Sequence, residues 1–467
     1  MTFTMQQNIP VVHWDKALIE KYDCRGPRYT SYPTATEFND QYTVSDYEQA
    51  LRKVKEQPFE PLSVYLHIPF CHDICYYCAC NKIVTRKQEV ADTYLNYLEK
   101  EMRLIHDVLG RKRNINQLHL GGGTPTFLNP AQMTRLIHML STYFQLSESD
   151  DREYSIEIDP RTVTPDTLAL LKGLGFNRIS LGVQDFSPQV QQAINRVNPV
   201  DMVEGLMVAA RNYGYSSINF DLIYGLPYQT ATSLKETIES VIALSPDRIA
   251  FYNYAHLPER FTSQRAIDRM TLPDADEKLL MLNTISDLFS DAGYVYIGMD
   301  HFVKPEDPMA QAQRLGRLQR NFQGYSIARS TNMLGLGVSS ISSVSDTFAQ
   351  NCKEVTAYYE ALDNNVLPIE RGVKTSADDK RRAYVIMHLI SNLQLSFADW
   401  EKTFGDRFSD YFAEELRELD PMQQDALVEI NAGNIKVLAN GRSMLRNICM
   451  VFDIYHNPSK QLYSKVI

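Results

Sequence analysis

The chain has 467 residues, 44% hydrophobic and 22% charged. That composition excludes disorder over most of its length and leaves room for about three domains, or one large α/β domain with additions. Lysine plus arginine total 47 against 57 aspartate plus glutamate, a formal net charge of −10, which argues against nucleic acid or an anionic membrane as the main partner.

No stretch approaches about 18 uninterrupted apolar residues, so no transmembrane helix is expected. The first residues, MTFTMQQNIPVVHWDK, have no basic region followed by an apolar core. No signal peptide is expected, and the cytoplasm is the expected location. RGPRYTSYPTATEF (25–38), with its prolines and hydroxylated residues, predicts an extended arm, and a short helix is expected over 45–55.

From residue 63 the texture alternates. Strand-like runs fall at 63–70, 115–123, 154–160, 178–185, 217–225 and 248–256, with helix-period segments between most of them. The segment 91–110 places Leu95, Leu98, Met102, Ile105 and Leu109 on one face. Six βα units predict parallel strands with crossover helices, an α/β partial (β/α)6 barrel. The runs read as nearly continuous apolar stretches, as for strands buried on both faces. Each ends in polar or glycine-rich residues: Cys71, Gly121 to Thr124, Glu157 and Asp159, Gln184 and Asp185, Asp221, His256. Ligand sites of barrel folds lie at such strand ends.

Further α/β sequence runs to about 350. Past about 376 the chain is helix-rich, and 434–453 reads as a short β-wing followed by a helix. Residues 377–467 hold 11 basic and 13 acidic side chains, which is no DNA footprint. The expected division is an N-terminal arm (1–55), a central α/β domain (56–375) and a helical, winged-helix-like C-terminal domain (376–467).

The sharpest signal is HIPFCHDICYYCACNK (67–82), which holds Cys71, Cys75, Cys78 and Cys80 in the spacing C-x3-C-x2-C-x-C. An odd total of seven cysteines argues against a disulfide framework, and a local thiol cluster points to metal or redox chemistry. Three thiolates on one loop can hold three irons of a four-iron cubane and leave the fourth open. A structural zinc site is the alternative, although zinc ligands commonly come as two pairs split by a longer loop. The run GGGTPT (121–126) lets backbone approach a ligand closely, or makes a tight turn.

Cys-x3-Cys-x-aromatic-Cys, with Tyr77 before Cys78, resembles the signature of the radical S-adenosylmethionine (SAM) superfamily. The segments GPRYTSYPTATEF, YLHIPFCHDICYYCACNKIVT, LHLGGGTPTFL, SIEIDPR, LGVQDF, FDLIYGLP, YNYAHLP, IGMDHF, RNFQGY and GRSMLRNICMVFD narrow the resemblance to the oxygen-independent coproporphyrinogen III oxidase family, almost end to end. The resemblance implies one [4Fe-4S] cluster on Cys71, Cys75 and Cys78, with its fourth iron open to SAM, and two SAM molecules. It implies SAM contacts at Tyr65, Tyr77, Gly122, Gly123, Thr124, Glu157, Gln184, Arg196, Asp221, Ala255 and Ile341. Cys80, which would not ligate the cluster, joins Glu157, Phe322 and Gln323 as the implied catalytic group.

The implied reaction converts two propionates of coproporphyrinogen III to vinyl groups, giving protoporphyrinogen IX in haem biosynthesis. A cytoplasmic monomer, a reduced flavodoxin- or ferredoxin-like electron donor, and no nucleic-acid or membrane partner go with it. The arm would lie over the active site. A tetracarboxylate substrate in a net-negative protein needs local cations, and arginine pairs carboxylates well. Arg25, Arg28, Lys82, Arg86 and Arg320 are the candidates. Two other readings are a haem chaperone of the same superfamily and a zinc- or iron-regulated binding module. Such chaperones carry phenylalanine where Cys80 stands, an HNxxYW motif and no RYTSYP arm.

Overall fold

In the computed structural model the described residues are 12, 14–327 and 332–457. The expectation of no signal peptide falls mostly outside them, as do the first part of the arm and residues 458–467. No helix among the described residues is long and apolar enough to cross a membrane.

Six parallel strands run side by side in chain order: β1 (Leu62–Ile68), β2 (Asn114–Gly122), β3 (Glu153–Ile158), β4 (Arg178–Gln184), β5 (Ser217–Tyr224) and β6 (Arg248–Asn253). A seventh, β7 (Asn332–Leu336), returns parallel on the other side of β1. Antiparallel strands extend both ends: His301–Val303 and Val295–Gly298 beside β6, and Ile341–Val344, Thr347–Asn351 and Ile369–Lys374 beyond β7. The six expected βα strands are all present, in the expected partial-barrel order.

The expectation of apolar character on both strand faces is corrected. Residues alternate in and out along a strand, and here the outward set is apolar while the inward set is mostly polar. Leu118, Leu120, Ile156, Ile158, Ile179, Leu181, Ile218, Phe220 and Leu222 are buried in the main core. The alternate residues Gln117, His119, Ser155, Glu157, Arg178, Ser180, Ser217, Asn219 and Asp221 line the lumen.

Helix α1 (Glu89–Leu109) covers the sheet near β1. It buries Leu95, Leu98, Met102, Ile105 and Leu109 as its period predicts. The same face buries a carboxylate. Glu101 accepts hydrogen bonds from the Tyr358 hydroxyl at 2.6 Å, Asn351 Nδ2 at 2.6 Å and the Gly337 amide at 2.8 Å. Nearby, the Tyr94 hydroxyl donates to the His67 carbonyl at 2.8 Å and accepts from the Val338 amide at 3.0 Å. These contacts fasten the loop after β7 to the end of β1.

The expected helix near 45–55 is Val44–Lys55, opened by a Thr43–Asp46 capping box. An additional helix, Lys16–Tyr22, starts at an Asp15 cap. Between them the arm has no α-helix but is not simply extended: Tyr29 is left-handed (φ +46°), bends run over 30–33 with a cis Tyr32–Pro33 peptide, and single turns follow at Ala35–Glu37 and 40–41. It docks on the C-terminal region: Arg446 donates to the carbonyls of Gly26 and Pro27, and the Tyr29 hydroxyl donates to Asp453 at 2.9 Å. Tyr29 and Tyr32 join an apolar cluster around Trp400, Phe408 and Phe412. That region is helical from Ala377–Asn392 onward, with a small antiparallel sheet of Gln394–Ser396, Asn434–Val437 and Val428–Ile430. The expected β-wing and helix in 434–453 appear as strand Asn434–Val437 and helix Leu445–Met450.

Burial pushes the Glu101 carboxyl up from its ordinary 4.5 to about 7, against the opposing pull of its three donors. The folded state therefore holds that proton more tightly than the unfolded chain, so Glu101 costs stability progressively as pH rises from 4.5 through 7. The difference corresponds to ~3 kcal/mol. In denaturant titrations, Glu101→Gln is expected to gain about that much relative to wild type between pH 4.5 and pH 8. Parallel pH profiles for the two proteins would refute it.

Candidate functional site

The cysteine loop begins where β1 ends. The short strand Phe70–Cys71 pairs in parallel with Ile83–Val84 and closes the loop at its base. Polar groups from distant segments tie down its backbone. Asn195 Nδ2 donates to the Ile74 carbonyl at 2.7 Å, and the Tyr76 amide donates to the Ile194 carbonyl at 3.0 Å. Gln264 Nε2 donates to the Tyr77 carbonyl at 3.0 Å, and the Ser263 hydroxyl to the Cys78 carbonyl at 2.9 Å. Lys82 Nζ meets the same Cys78 carbonyl at 3.1 Å.

Each of the first three sulfurs faces a donor. Thr124 Oγ1 approaches Cys71 Sγ at 3.5 Å. Arg161 Nη2 and Arg196 Nη1 approach Cys75 Sγ at 3.6 and 3.7 Å. The Cys80 amide approaches Cys78 Sγ at 3.4 Å. The Cys80 thiol and the Lys82 ammonium pull the Cys78 thiol below its ordinary range against burial, whereas burial lifts Cys71 to about 11. Three sulfurs on one loop, each met by an O–H or N–H group, fit a thiolate-ligated iron–sulfur cluster.

The two arginines are set by one carboxylate. Asp159 accepts from Arg161 Nη2 at 2.7 Å and from Arg196 Nη1 at 2.7 Å. Burial raises the Asp159 carboxyl, but Arg196 and then Arg161 outweigh it and hold the group below its ordinary range. Arg196 also donates to the Gly182 carbonyl at 2.7 Å.

The four motif cysteines open onto a lumen cavity of about 410 Å³. Of the expected site residues, Tyr77, Gly122, Gly123, Thr124, Glu157, Gln184, Arg196, Asp221 and Gln323 line it together with Cys71, Cys75, Cys78 and Cys80. Two glycines allow the backbone into this wall. Gly122 has φ +117°, and a Cβ there would lie 2.8 Å from the His67 ring. A Cβ on Gly123 would lie 2.7 Å from the Pro69 carbonyl oxygen.

Two half-buried carboxylates face the cavity in different states. Glu157 accepts from His119 Nε2 at 3.1 Å and from the Gly122 amide at 3.3 Å. Burial raises its carboxyl, but His119 and Gly122 outweigh that and keep it below its ordinary value. Asp221 accepts from Ser180 at 2.5 Å and Asn219 at 2.9 Å, yet burial lifts it to about 6.

Tyr65, Ala255, Phe322 and Ile341 stand outside this lining. The Tyr65 ring stacks on His119, with centroids 5.8 Å apart, and its hydroxyl bonds His67 Nδ1 at 3.1 Å. Ala255 faces a smaller cavity beside Arg28 and Arg446. Phe322 packs edge-on against Phe38 of the arm and against Phe348. Ile341 opens an antiparallel strand opposite Gln350.

Among the basic candidates, Arg28 pairs with Asp300 at 2.7 Å and Arg86 with Asp73 at 2.9 Å. Arg25 is exposed, Lys82 sits at the cysteine loop, and Arg320 lies over the Tyr325 ring at 4.7 Å. His119, Arg161, Asn195, Ser263 and Gln264 were not picked out from the sequence. For His119 the missed signal was its period-two alternation with Gln117.

Residues 65–241 match the radical SAM superfamily, and residues 375–444 match the HemN C-terminal domain. The chain is 46% identical over 460 residues to the oxygen-independent coproporphyrinogen III oxidase of Pseudomonas aeruginosa, covering 98% of this chain and 100% of that one. It is 47% identical over 464 residues to the protein of the same name from Escherichia coli, again covering 98% and 100%. A solved structure of coproporphyrinogen III oxidase (HemN) from Escherichia coli, described as a radical SAM enzyme, superposes with TM-score 0.90 at 45% identity. It covers 96% of this chain and 100% of that one.

The buried Gln264 amide also serves the Leu257 amide at 2.6 Å and the Ala255 carbonyl at 3.2 Å. Gln264→Ala leaves these groups and the Tyr77 carbonyl unpaired, at about 1–3 kcal/mol per group not rescued by water. A lower melting temperature and faster loss of iron to a chelator are the expected outcome. Wild-type values for both would show that the amide does not tie down the loop.

Proposed function

The chain belongs to the oxygen-independent coproporphyrinogen III oxidase family of the radical SAM superfamily, and we propose on that premise that the barrel cavity is where substrate is converted. The enzyme catalyses the anaerobic oxidative decarboxylation of the ring A and ring B propionates of coproporphyrinogen III, giving protoporphyrinogen IX in haem biosynthesis. Each side chain loses one β-hydrogen atom, CO2 and one electron to become a vinyl group. The observation that carries the reading is the opening of the Cys71, Cys75 and Cys78 loop onto a polar lumen faced by Glu157 and the Gly122–Thr124 backbone.

The cofactors are a [4Fe-4S] cluster and SAM. When bound, the cluster supplies the electron that splits SAM into methionine and the 5′-deoxyadenosyl radical that takes the β-hydrogen. In our assignment Cys71, Cys75 and Cys78 hold the irons, and Cys80 stays free beside the reacting carbon. The backbone of Gly122 to Thr124 takes the SAM amino group. Glu157, kept ionised by His119, and Gln184, Arg196 and Asp221 orient SAM in the lumen. Tyr77 walls the same space, and a second SAM completes one radical per propionate. Tyr65, Ala255 and Ile341 complete the proposed SAM contacts, and Phe322 the proposed catalytic group.

Radical SAM chemistry needs a reductant, for which we propose a flavodoxin- or ferredoxin-like carrier acting on a cytoplasmic monomer. We assign 1–55 as an arm over the active site, 56–375 as the catalytic domain and 376–467 as the C-terminal domain. Continuity of the main sheet to Lys374 supports the second boundary, and the Phe38–Phe322 contact supports the arm's placement. The haem-chaperone reading is not favoured: the full-length relatives carry the oxidase name, and Cys80 lines the cavity.

The test is the mass of the porphyrin product. Protein reconstituted anaerobically with iron and sulfide, to about four irons per chain, is given coproporphyrinogen III, SAM, a reductant and cell extract as acceptor source. Loss of two HCOOH units after oxidation to porphyrin, with 5′-deoxyadenosine formed, is the expected result. Cys78→Ala is expected to lose the iron and all product. An unchanged porphyrin with an intact cluster and a working control enzyme would overturn the function.

A further inference from the structure

Resting on the coproporphyrinogen reading, one wall of the cavity can be assigned further. Three of the five basic candidates have other roles in the fold. Arg28 is taken by Asp300, Arg86 by Asp73 outside the cavity, and Lys82 faces the Cys78 carbonyl. Arg25 is exposed. Arg320 differs: its Nε and Nη1 are buried with no hydrogen-bond partner.

Its neighbours share the deficit. Arg320 stands in the hairpin Gln319–Asn321 and Gly324–Ser326, directly opposite Tyr325. The guanidinium lies over the Tyr325 ring, and the His301 ring meets that ring edge-on at 5.1 Å. A Cβ on Gly324 would come within 3.9 Å of His301 Nε2, so the hairpin's turn and His301 adjoin. Gln323 Nε2 and His301 Nδ1 are likewise buried without partners. Gln323, Tyr325 and His301 all line the lumen.

Buried polar groups in native proteins are almost always hydrogen-bonded, because an unpaired one carries its full desolvation cost. Four such atoms gathered around the Tyr325 ring, those of Gln323 and His301 on residues of the lumen wall and those of Arg320 behind it, mark a place kept for a ligand. The stacked guanidinium is a planar fork suited to a carboxylate. Asp300, next to His301 in sequence, is already held by Arg28, and Asp307 by Arg248. Burial, and then the Arg320 charge, push His301 down to about 3, so at neutral pH it adds a hydrogen-bonding group and no charge.

We infer that Arg320, Gln323 and His301 form a carboxylate subsite that anchors one propionate of the porphyrinogen. Coproporphyrin III, the oxidised tetracarboxylate, is the binding probe, followed by fluorescence on cluster-loaded protein. Its tetramethyl ester is the control without charge. Arg320→Gln is expected to weaken binding of the tetra-acid about ten- to hundredfold, the span of a charge-assisted hydrogen-bonded pair. KM for coproporphyrinogen III should rise in step, and Arg320→Lys should fall between. Binding of the ester, iron content and KM for SAM should match wild type.

Unchanged binding and KM in an Arg320→Gln protein that retains its iron would overturn the subsite. So would a rise confined to KM for SAM, which would give the donors to the SAM carboxylate instead. Should Arg320→Gln lose iron, the preference for tetra-acid over ester is measured on Arg320→Lys, where it must shrink at least about threefold. Failure of the function is distinct: wild type itself would then convert no coproporphyrinogen.

Discussion

A barrel whose lumen is lined with charge holds together only if the charges answer one another, and this governs the whole molecule. Deep in the lumen Arg178 meets Glu153 at 3.0 Å and Arg248 meets Asp307 at 2.9 Å. Near the mouth Asp159 neutralises Arg161 and Arg196 together. Removing one partner of a buried ion pair strands the other, at about 3–5 kcal/mol. The polar lining is therefore also scaffolding. Because Arg161 and Arg196 end at the Cys75 sulfur, the carboxylate that secures β3 to β4 also fixes the environment of the cysteine loop.

The pull of the environment on the two carboxylates gives the cavity its polarity. Glu157 and Asp221 share the lumen, but His119 keeps the first ionised while burial weakens the acidity of the second. One firm anionic centre then sits against the glycine wall, and the guanidinium of Arg320 lies at the far hairpin. A ligand with a cationic end and anionic side chains meets complementary charge along the same lumen.

Much of this was legible in the sequence. Six strands and their order followed from recurring apolar runs, and Leu95 to Leu109 followed from helical period. The cysteine loop declared itself by spacing. The polar lumen did not, because RISLGVQ reads as an apolar run unless Arg178, Ser180, Gly182 and Gln184 are taken as one face. Nor did the ties on the cysteine loop: Asn195, Ser263 and Gln264 reach it from 121, 185 and 187 residues away. Sequence reading also placed Arg28 among the substrate cations, and only the fold shows Asp300 beside it. Local pattern reports period and turn chemistry, whereas pairing across the barrel is a property of closure.

Arg446 reaches back 419 residues to the Pro27 carbonyl. That fastening sets an order on biosynthesis. A chain leaving the ribosome completes its main sheet at Lys374, long before the final helix emerges, and domains fold as units in that direction. Arg28 can already meet Asp300, but the Gly26 and Pro27 carbonyls and the hydroxyls of Tyr29 and Tyr32 meet their partners only when residues 446–454 arrive. The cysteine loop and its cavity are thus assembled on a nascent chain whose N-terminal segment already meets residues 276–300 but still lacks its last fastening.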